Sequence, residues 1–163
     1  MVAASSWPRF IECRGIETDG ACRSHPICYA ISMTERTEPH YVYTEKQAAE
    51  RSVIARHFID TRARLNENVN RADNLLVKRF YNLDHNTYLE GALPAKYKEL
   101  MGLVASACLR CDDCITYHII QAFRLDASRA EQEEALNVSL TVGGSIVIPH
   151  LRRAYELLTE LYG

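Results

Sequence analysis

Two apolar stripes at helical period, separated by a very short break, constrain this chain more than any other feature. Leu100, Leu103, Val104, Ala107 and Cys108 follow i, i+3, i+4, i+7, i+8, the pattern of a helix with one core-facing side. Leu109 and Arg110 interrupt it. Ile115, Ile119, Ala122 and Phe123 then resume the period in a helix that starts near Cys111. Asp112 and Asp113 fall in its first turn, where acids complement the helix dipole. Helices joined by so short a turn pack as antiparallel neighbours. Pro94 sits where the first of them can begin without losing a useful donor.

The flanking sequence reads the same way. Thr44 and Gln47 form a T-x-x-Q capping box before the helix-favouring run EKQAAERSVIARHFIDTRARL. A second helix is expected over Asn68 to Tyr81, with Val69, Ala72, Leu75, Leu76, Arg79 and Phe80 at helical spacing, and Asn82 to Leu93 as a connecting segment. Asp126 and Ser128 offer caps for SRAEQEEALNVSLTVGG. After Gly143-Gly144 a last helix runs through IPHLRRAYELLTEL, with Ile148, Leu151, Tyr155, Leu158 and Leu161 inward. No segment alternates as a strand does. The expected fold is all-α.

Residues 1 to about 40 show no period and carry Pro8, Pro26, Pro39, Gly15 and Gly20, so they read as a poorly ordered extension before a helical domain over 41–163. Met33 opens more ordinary sequence and is a candidate alternative start. The first residues lack a basic region followed by a sustained apolar core, and Glu12 interrupts them, so no export signal is read and the cytoplasm is the expected compartment.

A net charge of −2 and a pI near 6.3 give no basic field for nucleic acid, so no such partner is expected. No run approaches the roughly 18 apolar residues of a membrane helix. The longest uncharged stretch, Leu136 to Pro149, contains Asn137, Ser139, Thr141 and Ser145 and reads as buried helix, so no membrane partner is expected either.

Six cysteines are the unusual feature of the composition, three of them within Cys108 to Cys114. Closely spaced cysteines in a cytosolic chain point to redox or metal chemistry. Cys111-x-x-Cys114 opens a helix, and His118 follows Cys114 by one turn, on the same face. Only thiolates are good nucleophiles. The positive end of the helix dipole and an imidazole that accepts the proton both favour the thiolate. Asp112 and Asp113 oppose it, and the dipole and imidazole prevail if both acids face solvent. Glu99, on the preceding helix, can approach this face and orient the imidazole.

Glu99, eleven residues, Cys111-x-x-Cys114, three residues and His118 together resemble the AhpD-like alkylhydroperoxidase family, within the wider carboxymuconolactone decarboxylase superfamily. The likeness extends through LPAKYKELMGLVASAC and GGSIVIPHLRRAYELL. It implies an all-helical fold assembled as homotrimers or homohexamers. It also implies a cysteine pair that reduces hydroperoxides, or serves as a thiol–disulfide partner to peroxidase systems, with a dithiol or disulfide-reductase partner and no cofactor. Residue by residue, Cys114 resembles the peroxide-attacking thiolate, Cys111 the resolving cysteine, His118 the relay base and Glu99 the relay carboxylate. One position departs from the pattern: some family members carry His immediately before the second cysteine, where Asp113 stands here.

Other readings compete. Cys108, Cys111, Cys114 and His118 have the spacing of a zinc or iron–sulfur run, but such ligation uses a looped backbone, and the stripe from Cys111 onward is helical. Lactone decarboxylation, the superfamily's other chemistry, does not use a cysteine pair. A helical oligomer using the pair only as a redox sensor requires the same ionised thiol. His150, after Pro149, reads as an exposed first-turn residue. Cys22-x2-His25-x2-Cys28, with Cys13 upstream, reads as tail thiols.

Overall fold

The computed structural model describes residues 36–163, so the expected extension, with Cys13, Cys22, His25 and Cys28, falls largely outside the described residues. Seven α-helices follow in order: α1 (Glu45–Arg51), α2 (Val53–Arg71), α3 (Leu75–Tyr88), α4 (Ala95–Leu109), α5 (Asp112–Arg124), α6 (Arg129–Gly143) and α7 (Ile148–Tyr162). A short 3-10 turn, Ser145–Val147, precedes α7. Among the described residues the only strand-like pairing is an isolated bridge between Thr37 and Glu90, as an all-α fold requires. No helix of the described residues is long and apolar enough to cross a membrane.

Local capping explains several boundaries. Thr44 closes the expected box with Gln47, and Ser128 forms a second one with Glu131. The run after Thr44, however, is two helices and not one. Ser52 leaves helical geometry, its hydroxyl accepts from Ala55 N at 2.9 Å, and it donates to Glu160 Oε2 of α7 at 2.5 Å. The expected second helix is also displaced. The chain turns at Ala72–Asn74, with Asp73 left-handed (φ 50°) and Asn74 capping α3, so α3 spans most of the segment expected to be a connection.

α5 lies at the centre, packed against α4 on one side and α7 on the other, while α6 packs on α4. Ile115, Ile119 and Phe123 of α5 are buried with Leu103, Leu136, Leu157, Leu158 and Leu161. Phe123 stacks on Tyr43 at 4.7 Å and meets Tyr162 edge-on at 5.4 Å. Two faces are rotated from expectation. In α4 the deeply buried positions are Ala95, Glu99, Gly102, Leu103, Ser106 and Ala107, whereas Leu100, Val104 and Cys108 are half-buried. In α7 Ala154 and Leu157 join Leu158 and Leu161 inside, while Ile148 is exposed.

Candidate active site

The turn between α4 and α5 presents the cysteines. Arg110 closes α4 in the left-handed region (φ 61°), and Cys111 N donates to Ser106 O at 3.1 Å, which redirects the chain within one residue. Cys111 is then the N-cap of α5, its sulfur accepting from Cys114 N at 3.3 Å. Cys111 and Cys114 are joined by a disulfide across a Cα–Cα distance of 5.3 Å. Cys111 is half-buried and Cys114 exposed. Cys108 stands apart from the pair: its thiol donates to Ser139 O of α6 at 3.7 Å.

One turn after Cys114, His118 projects into the α4–α5 interface. Its Nδ1 lies 2.7 Å from Glu99 Oε2, and the two residues are only 8% and 3% exposed. This is the contact that antiparallel packing of the two helices allows. With Glu99 ionised, Nδ1–H donates to the carboxylate and Nε2 is left with a free lone pair. Burial pushes the Glu99 carboxyl above its ordinary range, and the hydrogen bond from His118 opposes that shift.

Three residues that the sequence did not single out build the rest of the imidazole's surroundings. Tyr117 and Tyr88 lie with ring centroids 5.3 and 5.5 Å from that of His118. Burial, reinforced by the Glu99 charge, pushes both phenols up to about 12, so they stay neutral at physiological pH. Gly102 of α4 lies against the ring: a Cβ there would sit 2.5 Å from Cε1 and 2.7 Å from Nδ1. A glycine inside an otherwise regular helical stripe is the one local hint of that close approach.

Cys114, Tyr117 and His118 border an open cavity of about 770 Å³, lined also by Ile54, Phe58 and Leu65 of α2 and by polar residues including His57, Asn66 and Asp84. Arg62 also lines it, with its guanidinium 4.7 Å above the Tyr117 ring. The arrangement places an exposed sulfur, a buried base behind it and a cavity of mixed apolar and polar walls around one point.

The two acids of the first turn behave differently. Asp113 is exposed and lines the cavity. Asp112 does not simply face solvent: its Oδ1 lies 2.7 Å from His150 Nδ1, and its Oδ2 accepts from Arg153 Nη1 of α7. His150 is therefore no exposed first-turn residue; its side chain is 16% exposed and ties α7 to the start of α5.

The family model for the carboxymuconolactone decarboxylase family matches residues 75–157, from α3 through most of α7. Two crystal structures from Thermotoga maritima are similar. One is 55% identical, with a TM-score of 0.63, covering 64% of this chain and 92% of that one. The other, described as a carboxymuconolactone decarboxylase family protein with a suggested part in an antioxidative response, is 56% identical, with a TM-score of 0.62, covering 64% and 89%. An uncharacterized protein of Cupriavidus necator is 38% identical over 55 residues, 34% of this chain; the chain spans about half (49%) of that relative's length.

Proposed function

The chain belongs to the carboxymuconolactone decarboxylase family, and from that membership we propose that it is a thiol-dependent peroxidase of the alkylhydroperoxidase type. The observation that carries this reading is the buried Glu99–His118 pair one turn from Cys114, with His118 and Cys114 both lining one cavity of mixed apolar and polar walls. The antioxidative part suggested for the Thermotoga relative agrees with it.

In the reduced enzyme His118 Nε2 takes the Cys114 proton, and Glu99 steadies the imidazolium. The thiolate attacks the outer hydroperoxide oxygen. The O–O bond breaks, Cys114 becomes a sulfenic acid, and the alkoxide leaves as an alcohol with the proton held by His118. The Cys111 thiol then condenses with the sulfenic acid, releasing water and forming the Cys111–Cys114 disulfide. An external dithiol supplies two electrons and two protons to restore the pair.

We propose further that the working form is a homo-oligomer. α3 buries none of its residues within the chain, and Leu75, Leu76, Phe80 and Leu83 are exposed along it. Only its C-terminal end, at Tyr88, packs on the site, and an exposed apolar patch of this kind marks an interface.

The test is turnover of cumene hydroperoxide with a dithiol reductant by the full chain. Wild type consumes peroxide over many cycles, and peroxide-treated, alkylated protein carries the Cys111–Cys114 bridge by mass spectrometry. Cys114→Ser abolishes consumption. Equal consumption by that variant refutes the reading, and a pair that oxidises without turning over favours the redox-sensor alternative.

A further inference from the structure

Taking Cys111 and Cys114 as a redox couple, we infer that Asp112, His150 and Arg153 form a clamp that sets how readily that couple is reduced. Asp112 is the first helical residue of α5 and directly follows the Cys111 N-cap. An unpartnered carboxylate at that place repels a thiolate and cancels part of the helix-terminus potential. Here neither carboxylate oxygen is unpartnered. Oδ1 receives His150 Nδ1 at 2.7 Å, and Oδ2 receives the Arg153 guanidinium.

Both partners come from one side of α7, and Pro149 stiffens the turn that carries His150. α7 packs on α5, so the clamp is held by the same contacts that hold the core. It fixes the carboxylate on the α7 side of the turn, whereas the disulfide's exposed member, Cys114, faces the α2 side through the cavity wall. The clamp thus limits how far the Asp112 charge cancels the helix-terminus potential, while Asp113, exposed beside Cys114 at the cavity, still opposes the thiolate.

The consequence is a difference in poise. Reduction by a dithiol breaks the Cys111–Cys114 bond, adds two electrons and two protons, and leaves the reductant as its own disulfide. Groups that stabilise the resulting thiolate favour the reduced state and raise the potential. Arg153 and His150, by holding Asp112, raise it; Asp112 lowers it. They are positioning residues, since they act through the carboxylate and not on the sulfur.

The experiment equilibrates the full chain with reduced and oxidised dithiothreitol at low ionic strength and measures the fraction of Cys111–Cys114 disulfide. Arg153→Gln shifts the equilibrium about threefold toward the disulfide, which is about 15 mV at roughly 30 mV per tenfold change. Asp112→Asn shifts it about threefold the other way. Arg153→Lys restores the wild-type value. In the Asp112→Asn background Arg153→Gln has little further effect, because the group it acts through is gone. High salt narrows all these differences. His150→Ala shifts in the same direction as Arg153→Gln; should it fail to fold, Arg153→Gln carries the test, because its side chain is 65% exposed. Shifts of one sign for both Asp112→Asn and Arg153→Gln, no shift at all, or an Arg153→Gln shift equal in both backgrounds overturns the clamp. A wild-type pair that does not exchange with dithiothreitol overturns the redox reading instead.

Discussion

Replacing Gly102 by alanine sets a local gain against a tertiary loss. Alanine is favoured over glycine inside a helix by about 1 kcal/mol, and α4 is regular at this position. The new methyl, however, would lie 2.5, 2.7 and 2.8 Å from Cε1, Nδ1 and Nε2 of His118. Favourable contacts between heavy atoms lie at about 3.5–4.0 Å, so the ring has to retreat by about 1 Å. Its retreat is blocked by Tyr88 and Tyr117, and it draws Nδ1 away from Glu99 Oε2, now at 2.7 Å. Overpacking costs about 1–3 kcal/mol, and a buried carboxylate deprived of its partner about as much again. The net expectation is a loss of about 1–5 kcal/mol, despite the better helix former, with a melting temperature at least about 2 °C lower. Displacing the base proposed for Cys114 by about 1 Å costs up to about a hundredfold in rate. The assay is thermal unfolding together with alkylation of Cys114 at neutral pH, in a Cys111→Ser background that isolates one thiol. A Gly102→Ala protein that melts higher than its parent and alkylates at the same rate refutes the claim that Gly102 makes room for the imidazole.

In that same background, His118→Ala slows alkylation about tenfold near neutral pH, and the deficit closes at high pH where any thiol ionises; superimposable pH profiles reduce His118 to a packed core residue. Glu99→Gln slows it less, because the helix dipole and the imidazole remain. Glu99 also leaves a signature in stability. Its carboxyl is held above its ordinary value of 4.5 by burial, so the folded chain binds that proton more tightly than the unfolded one. Stability therefore falls as pH rises from the unfolded value through the folded one, and Glu99→Gln removes that fall. Denaturation midpoints for the two proteins between pH 4 and 7 that stay parallel contradict it. Finally, wild type sediments as an oligomer at micromolar concentration, and Leu76→Asp with Phe80→Asp on α3 reduces it to single chains; a monomeric wild type refutes the interface.

What could be read from the sequence is what depends on neighbours within a turn or two. The capping box Thr44–Gln47 closes over three residues, and Ser128 caps α6. The stripe Ile115, Ile119, Ala122 and Phe123 lies on one helix, and Cys111, Cys114 and His118 share a face because 3.6 residues make a turn. All of these were legible, and so was the all-α class. The helix break at Ser52 was not, because Glu160, which holds that hydroxyl, is 108 residues away. The inner face of α4 was legible only in part: Leu103, Ala107 and the approach of Glu99 to His118 were expected, whereas Gly102 and Ser106 were not. Apolar spacing alone favours Leu100, Val104 and Cys108, but α4 turns its small residues and Glu99 inward because the His118 ring needs both a partner and a vacancy beside it. The position of α3 was lost for a related reason: Leu75, Leu76, Phe80 and Leu83 stay exposed, so their spacing did not mark where the helix meets a core. His150 shows the same limit most simply. Its neighbours in sequence describe an exposed first turn, and only the packing of α7 on α5 brings it to Asp112, 38 residues upstream. Period and capping are properties of a segment, whereas a buried ion pair, a cavity wall or a void the size of a methyl group exists only between segments, where the tertiary structure decides it.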